Sequence, residues 1–168
     1  MSLKMLCLIS LFSAILFVQE EALTMIPNVQ LTFLLVCVYS ATIGLKYSSI
    51  IILVHVLLDN LFMNTFNLYC MVPQYIGLFI ACLFGYLFRN KNEYIQGIFS
   101  SLAALIYCIL YLLVNIWFLD AKFIPYLIAD IPFEIILMVS SFITIIFLYK
   151  PLVKVIKNFL KDDEEKLY

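Results

Sequence analysis

The sequence predicts an all-α integral membrane protein of six transmembrane helices with both termini in the cytoplasm. Three observations carry this. Of its 168 residues, 65% are hydrophobic and only 12% are charged, against roughly half and a quarter in soluble domains. The apolar residues form long unbroken runs, as spanning helices of about 20 residues require, instead of the alternation of an outer-membrane barrel. The basic residues fall almost entirely into alternate loops, as the positive-inside rule predicts. Such a chain has too little polar surface for a soluble enzyme, and its net charge of −1 excludes the basic face a nucleic-acid binder needs.

The elements follow in order. Helix 1 spans Leu3 to Val18; no small-residue cleavage site follows it, so it reads as a retained helix and not a signal peptide. A polar break from Gln19 to Asn28, ending in Pro27-Asn28, precedes helix 2, Val29 to Gly44. A turn at Gly44-Leu45-Lys46 leads to helix 3, Tyr47 to Met63. The loop Asn64 to Cys70 precedes helix 4, Val72 to Phe88. Arg89 to Glu93 is a loop, helix 5 runs Tyr94 to Leu119, and Asp120-Ala121-Lys122 interrupts. Helix 6 starts at Tyr126 or Pro132 and ends at Tyr149. Residues 151–168 form a basic, then acidic, cytoplasmic tail of the single six-helix domain, its lysines spaced as on an amphipathic helix lying on the inner leaflet or on a continuation of helix 6. With the N-terminus inside, nine of the ten Lys and Arg lie on the cytoplasmic side and only Lys122 outside.

The five cysteines, Cys7, Cys37, Cys70, Cys82 and Cys108, form no Cys-x-x-Cys pair and read as reduced apolar fillers. There is one histidine, His55, so no histidine metal centre is expected, and no cofactor. Intramembrane polar residues are costly and mark function by default. On the topology above, Asp59 and Asn60 end helix 3, Gln30 and Thr32 begin helix 2, Gln74 and Tyr75 begin helix 4, Asn115 and Trp117 end helix 5, and Asp130 and Glu134 sit one turn apart in helix 6. All share the outer depth. The inner halves read as almost purely apolar, with Ser48 and Ser49 as exceptions. This pattern suits a pocket open to the outside, with Tyr107, Tyr111, Trp117 and Tyr126 as flat surfaces for a small molecule. A water or proton path would carry polar groups through the full thickness. His55, one turn before Asp59, is placed to be its partner. The sign of the pocket stays open: the carboxylates favour a cation, yet the N-termini of helices 2, 4 and 6 also point there. In helix 1, Ser10 and Ala14 have the small-xxx-small spacing that admits a second helix.

Four features resemble the membrane-embedded substrate-capture subunit (S component) of energy-coupling factor (ECF) transporters, the bacterial vitamin importers. They are the six-helix plan, Pro27-Asn-Val-Gln-Leu-Thr32 before helix 2, Leu57-Leu-Asp59-Asn60 closing helix 3, and Ala129-Asp-Ile-Pro-Phe-Glu134 followed by Lys150-Pro-Leu-Val-Lys154. The resemblance implies a bacterial cell-membrane protein that binds a vitamin or precursor in an outward pocket. It also implies partnership with a transmembrane coupling protein and two cytoplasmic ATPases, docked on the face that here carries Ser10-x-x-x-Ala14. No Walker A motif is present, so ATP hydrolysis would belong to those partners. Thiamin, its pyrimidine precursor and pyridoxine-like amines remain open as ligands. The competing expectation is a ligand-free scaffold of the cell-shape (MreD-like) type; an integral-membrane enzyme is disfavoured, because no protease or phosphotransferase residue set is found.

Overall fold

The computed structural model describes residues 3–26, 28–119 and 122–165. Among these there are six α-helices and no strand: α1 (Leu3–Leu23), α2 (Thr32–Ile43), α3 (Leu45–Phe62), α4 (Leu68–Leu87), α5 (Glu93–Leu119) and α6 (Phe123–Glu165). Pro27, Asp120, Ala121, Lys166 and Tyr168, which entered the sequence reading, lie outside the described residues.

Five of the helices, all but α2, are long and apolar enough to cross a membrane. The expectation of six full spans is corrected here. The 12 residues of α2 rise only about 18 Å at roughly 1.5 Å per residue, well short of a hydrocarbon core of about 30 Å. This helix is apolar on every side, and Thr32 through Ser40 are all buried, as expected of a helix enclosed by others. It touches each of the other five helices. Around it, α1, α3, α4, α5 and α6 form an arc in which each touches the next, while α1 and α6 have no contact among the described residues.

Facing side chains fix the directions. Phe12 stacks on Tyr39 while Gln19 bonds Thr32, so α1 and α2 run oppositely. Tyr111 meets Cys70 and Phe99 meets Phe84, so α4 and α5 do too. Ser101 bonds the Met138 carbonyl and Asn115 bonds Tyr126, which makes α5 and α6 antiparallel. The helices therefore alternate, and the start of α1 and the end of α6 lie at the same end of the bundle. Exposed Val18, Leu61, Ile98, Leu113, Ile135 and Phe147 cover the outside, the surface that lipid tails solvate without penalty.

Several boundaries differ from expectation. Helix α1 continues through Gln19, Glu20 and Glu21 to Leu23, because the Gln19 side chain finds hydrogen-bond partners inside the bundle (below). Helix α4 begins four residues early, where Asn67 Oδ1 accepts from Cys70 N–H at 2.9 Å as an N-cap, so Pro73 falls inside the helix. Helix α6 starts at neither Tyr126 nor Pro132. It is one helix of 43 residues that contains Pro132 and Pro151. The segment after Lys150 is thus a continuation of α6 and not a separate helix on the leaflet; Leu152, Val153, Ile156 and Leu160 pack against the core. Besides the expected Ser48, the half of the bundle read as almost purely apolar also holds buried Ser40, Gln96, Ser100 and Ser141; Gln96 Nε2 donates to Tyr149 OH at 3.3 Å.

The α2–α4 contact is backbone-close. A Cβ on Gly85 would come within 2.6 Å of Cys37 Cα and 2.5 Å of Ser40 Oγ. Gly44, at φ +83°, makes the one-residue turn from α2 to α3, a conformation glycine adopts without strain. Gly85→Ala is therefore expected to destabilise the bundle by about 1–3 kcal/mol through overpacking, read as a lower thermal midpoint in detergent. An unchanged midpoint would contradict this close approach.

Candidate functional site

The arc closes poorly over the start of α2, and a cavity of about 460 Å³ lies there. Its wall comes from the end of α1 (Glu20, Leu23), the connection to α2 (Ile26, Asn28, Val29, Gln30), and the facing halves of α5 and α6. From α5 come Tyr107, Cys108, Tyr111 and Asn115; from α6 come Tyr126, Asp130 and Leu137. The cavity has a simple origin. Helix α2 begins at Thr32, level with Gln19 on α1, while its neighbours carry on beyond that level. The volume that further turns of α2 would fill is left to irregular chain and open space. Non-helical backbone at such depth is tolerated where it lines a cavity.

The connection is held by polar side chains of α1. Gln19 Oε1 accepts from Leu31 N–H at 2.9 Å, and Gln19 Nε2 donates to Thr32 Oγ1 at 2.8 Å and to the Leu16 carbonyl at 2.9 Å. Thr32 Oγ1 lies 3.0 Å from both Glu20 Oε2 and Gln30 Oε1, with one proton to give. Glu20 Oε2 is also 3.1 Å from Nε2 of the fully buried His55. The expected His55–Asp59 pairing does not form: His55 takes Glu20, and Asp59 takes Gln74.

The residues singled out from sequence divide into three groups. Tyr111, Asn115 and Asp130 line the cavity. Tyr111 OH donates to the Cys70 carbonyl at 3.2 Å, and Asn115 Nδ2 bonds Tyr126 OH, which ties α5 to α6 at the rim. Glu134 is 8% exposed, one turn along α6 from Asp130, and its Oε1 has no hydrogen-bond partner among the described residues. A second group, Asp59, Asn60 and Gln74, forms its own network. Gln74 Nε2 donates to Asp59 Oδ2 at 2.6 Å, Asn60 Nδ2 donates to Gln74 Oε1 and the Val56 carbonyl, and Thr65 Oγ1 donates to Asn60 Oδ1 at 3.0 Å. This network joins α3 to α4, and none of its members is in the cavity wall. Tyr75 and Trp117 are apart from both: Tyr75 stacks near Phe79, and Trp117 is 79% exposed, as in an interfacial aromatic belt.

Sequence reasoning missed Glu20 because Gln19-Glu20-Glu21 looks like the end of a helix. The signal available was Ala22-Leu23 after it, which keeps the run apolar for another turn. Among the described residues lining the cavity, the carboxyl groups are those of Glu20 and Asp130, and no Lys, Arg or His is present. Three phenol rings stand beside them. No His, Cys, Asp or Glu grouping suited to a metal ion occurs among the described residues. The arrangement offers charge complementarity and ring faces to a small cation.

Ser10 and Ala14 lie on the outward face of α1 and are exposed. Ser13, beside them, is buried, with its Oγ 3.5 Å from the Ile51 carbonyl. Among the described helices, α1 touches only α2 and α3, and Ser10 and Ala14 face away from both. No family model, no curated protein and no solved structure matches the sequence.

The α3–α4 network has the character of a helix clamp. Gln74→Leu is expected to cost about 1–3 kcal/mol, since it strips partners from Asp59 and Asn60. The thermal midpoint should fall while ligand affinity at the cavity stays within a few-fold; a large selective loss of affinity would put Gln74 at the ligand instead.

Proposed function

We propose that this chain is a membrane-embedded capture protein for a small cationic metabolite, working as the substrate-binding subunit of an ECF-type importer in a bacterial cell membrane. One observation carries the reading: a cavity of about 460 Å³ at one end of the bundle whose charged wall residues are the carboxylates Glu20 and Asp130. That volume suits a single vitamin-sized molecule. The rings of Tyr107, Tyr111 and Tyr126 give faces for a heterocycle bearing an amine or quaternary nitrogen. The distribution of Lys and Arg orients the cavity end outward, with both termini in the cytoplasm. The exposed Ser10–Ala14 face of α1 supports docking of a transmembrane coupling protein, which would recruit two ATPases. A ligand-free scaffold gives no reason for carboxylates facing an open cavity.

The test is mass spectrometry of the denatured, purified protein for a retained heterocycle, followed by calorimetry with thiamin, its pyrimidine precursor and pyridoxine-like amines. Glu20→Gln and Asp130→Asn are each expected to weaken binding about tenfold or more, the worth of a charge-assisted contact. Glu134→Gln should act in the same direction through its neighbour Asp130. Retention of nothing and binding of none of these cations would sink the proposal. Ser10→Leu with Ala14→Leu should abolish capture of a coupling protein while ligand affinity is unchanged; capture that survives both changes would remove that face from the docking surface.

A further inference from the structure

The opposite end of the bundle carries a second depression, of about 390 Å³, built on a different chemistry. It is lined by Arg89, Asn90 and Lys91 of the α4–α5 connection and by Lys150, Lys154, Lys157, Asn158 and Lys161 of α6, with Tyr149 and Val153 beneath. The four lysines recur at spacings of four, three and four, which places them on one stripe of the helix. Because α6 runs on unbroken past Pro151, this stripe is held rigidly against the α4–α5 connection.

Among the described residues the cations are largely uncompensated. Glu93 Oε2 pairs with Lys150 at 2.5 Å, and Arg89 lies over the Tyr86 ring at 4.3 Å. No carboxylate forms an ion pair with Arg89, Lys91, Lys154, Lys157 or Lys161 among the described residues. The acidic run Asp162 to Glu165 follows Lys161, the last lysine of the stripe, and its side chains lie outside the described residues. Like charges gathered this closely repel one another, so an anion between them is strongly favoured.

We infer that this depression binds the phosphate of an anionic phospholipid headgroup. Location argues for a lipid as the source. The lipid-facing wall of α6, with Ile143 and Phe147 exposed, ends just before Lys150, and exposed Tyr94 and Ile98 mark the same level on α5. Over the same turns as the lysines, Val155 is 63% and Phe159 51% exposed, so the lysine stripe is flanked by apolar surface. The Asn90 and Asn158 amides add donors beside the lysines. A basic recess at the membrane surface between helix ends is the setting in which such headgroups are held.

The test is native mass spectrometry of the full chain in detergent with phosphatidylglycerol and phosphatidylcholine of identical acyl chains. The expected result is preferential retention of phosphatidylglycerol, reduced about fivefold for each of Lys154→Gln and Lys157→Gln and kept by Lys154→Arg with Lys157→Arg. Equal retention of the two lipids by the unaltered protein would overturn the inference without reliance on any variant. So would a preference untouched by the double glutamine change in protein that keeps its thermal midpoint. Inorganic phosphate at millimolar concentration distinguishes the sources: stabilisation by phosphate with no phosphatidylglycerol preference would assign the site to a free anion and overturn the lipid.

Discussion

The length of α2 governs this molecule. A helix enclosed on all sides has no lipid face and no need to match the bilayer. It can stop where its packing stops. At 12 residues, α2 ends well below neighbours that do face lipid and therefore must span. The mismatch has one geometric outcome: a hollow above the first turn of α2, walled by longer helices. Everything chemical at that end follows, including the irregular connection from residue 24 to 31, the side chains of α1 that hold it, and the opening between α1 and α6.

Buried polarity is spent accordingly. In a bilayer, a polar side chain without a partner is expensive, so each must be absorbed locally or serve a ligand. Gln19 is absorbed: it satisfies the Leu31 N–H, which lies outside any helix. Asp59, Asn60 and Gln74 are absorbed by one another. Asp130 and Glu134 are not; neither accepts a hydrogen bond from a described side chain, yet both sit at or beside the hollow. The same accounting separates carboxylates that hold helices together from carboxylates left without a partner among the described residues.

Much of this was legible in the sequence, and what was not has identifiable causes. Runs of apolar residues located all six helices, since hydropathy averages over a whole span and is insensitive to its neighbours. The shared depth of Asn115, Asp130 and Glu134 was legible because alternate helices reverse direction. The rotation of each helix was not. Asp59 and Trp117 lie at the right depth, but Asp59 turns toward α4 and Trp117 turns outward; depth is one coordinate, and a site needs the azimuth too. Apolar runs in a membrane carry a weak moment, because lipid and protein interior are alike in polarity. Glu20 was hidden by an ordinary rule that polar clusters end helices, which fails where the polar side chains find partners inside. Pro73, Pro132 and Pro151 misled in the same way: proline weakens a helix, but tertiary packing carries α4 and α6 past it.

Charge is sorted along the long axis of the bundle, and this links its two depressions. By sequence position, six of the eleven carboxylates belong to the cavity end together with one basic residue, Lys122, while the other nine basic residues belong to the opposite end. Orientation in the membrane needs only the basic side of that division, because acidic residues contribute little to it. The acids themselves divide almost evenly, six against five, so the net negative charge of the cavity end comes from its shortage of Lys and Arg. Such a field draws cations toward the mouth and repels the anions of the medium. At the far end, the lysines of α6 gather with Arg89 and Lys91 around the second depression, where the inferred anionic headgroup would find complementary charge. A proposed cationic solute at one end and an inferred anionic headgroup at the other would make opposite electrostatic demands, and a chain with a formal net charge of only −1 meets both by separating its charges.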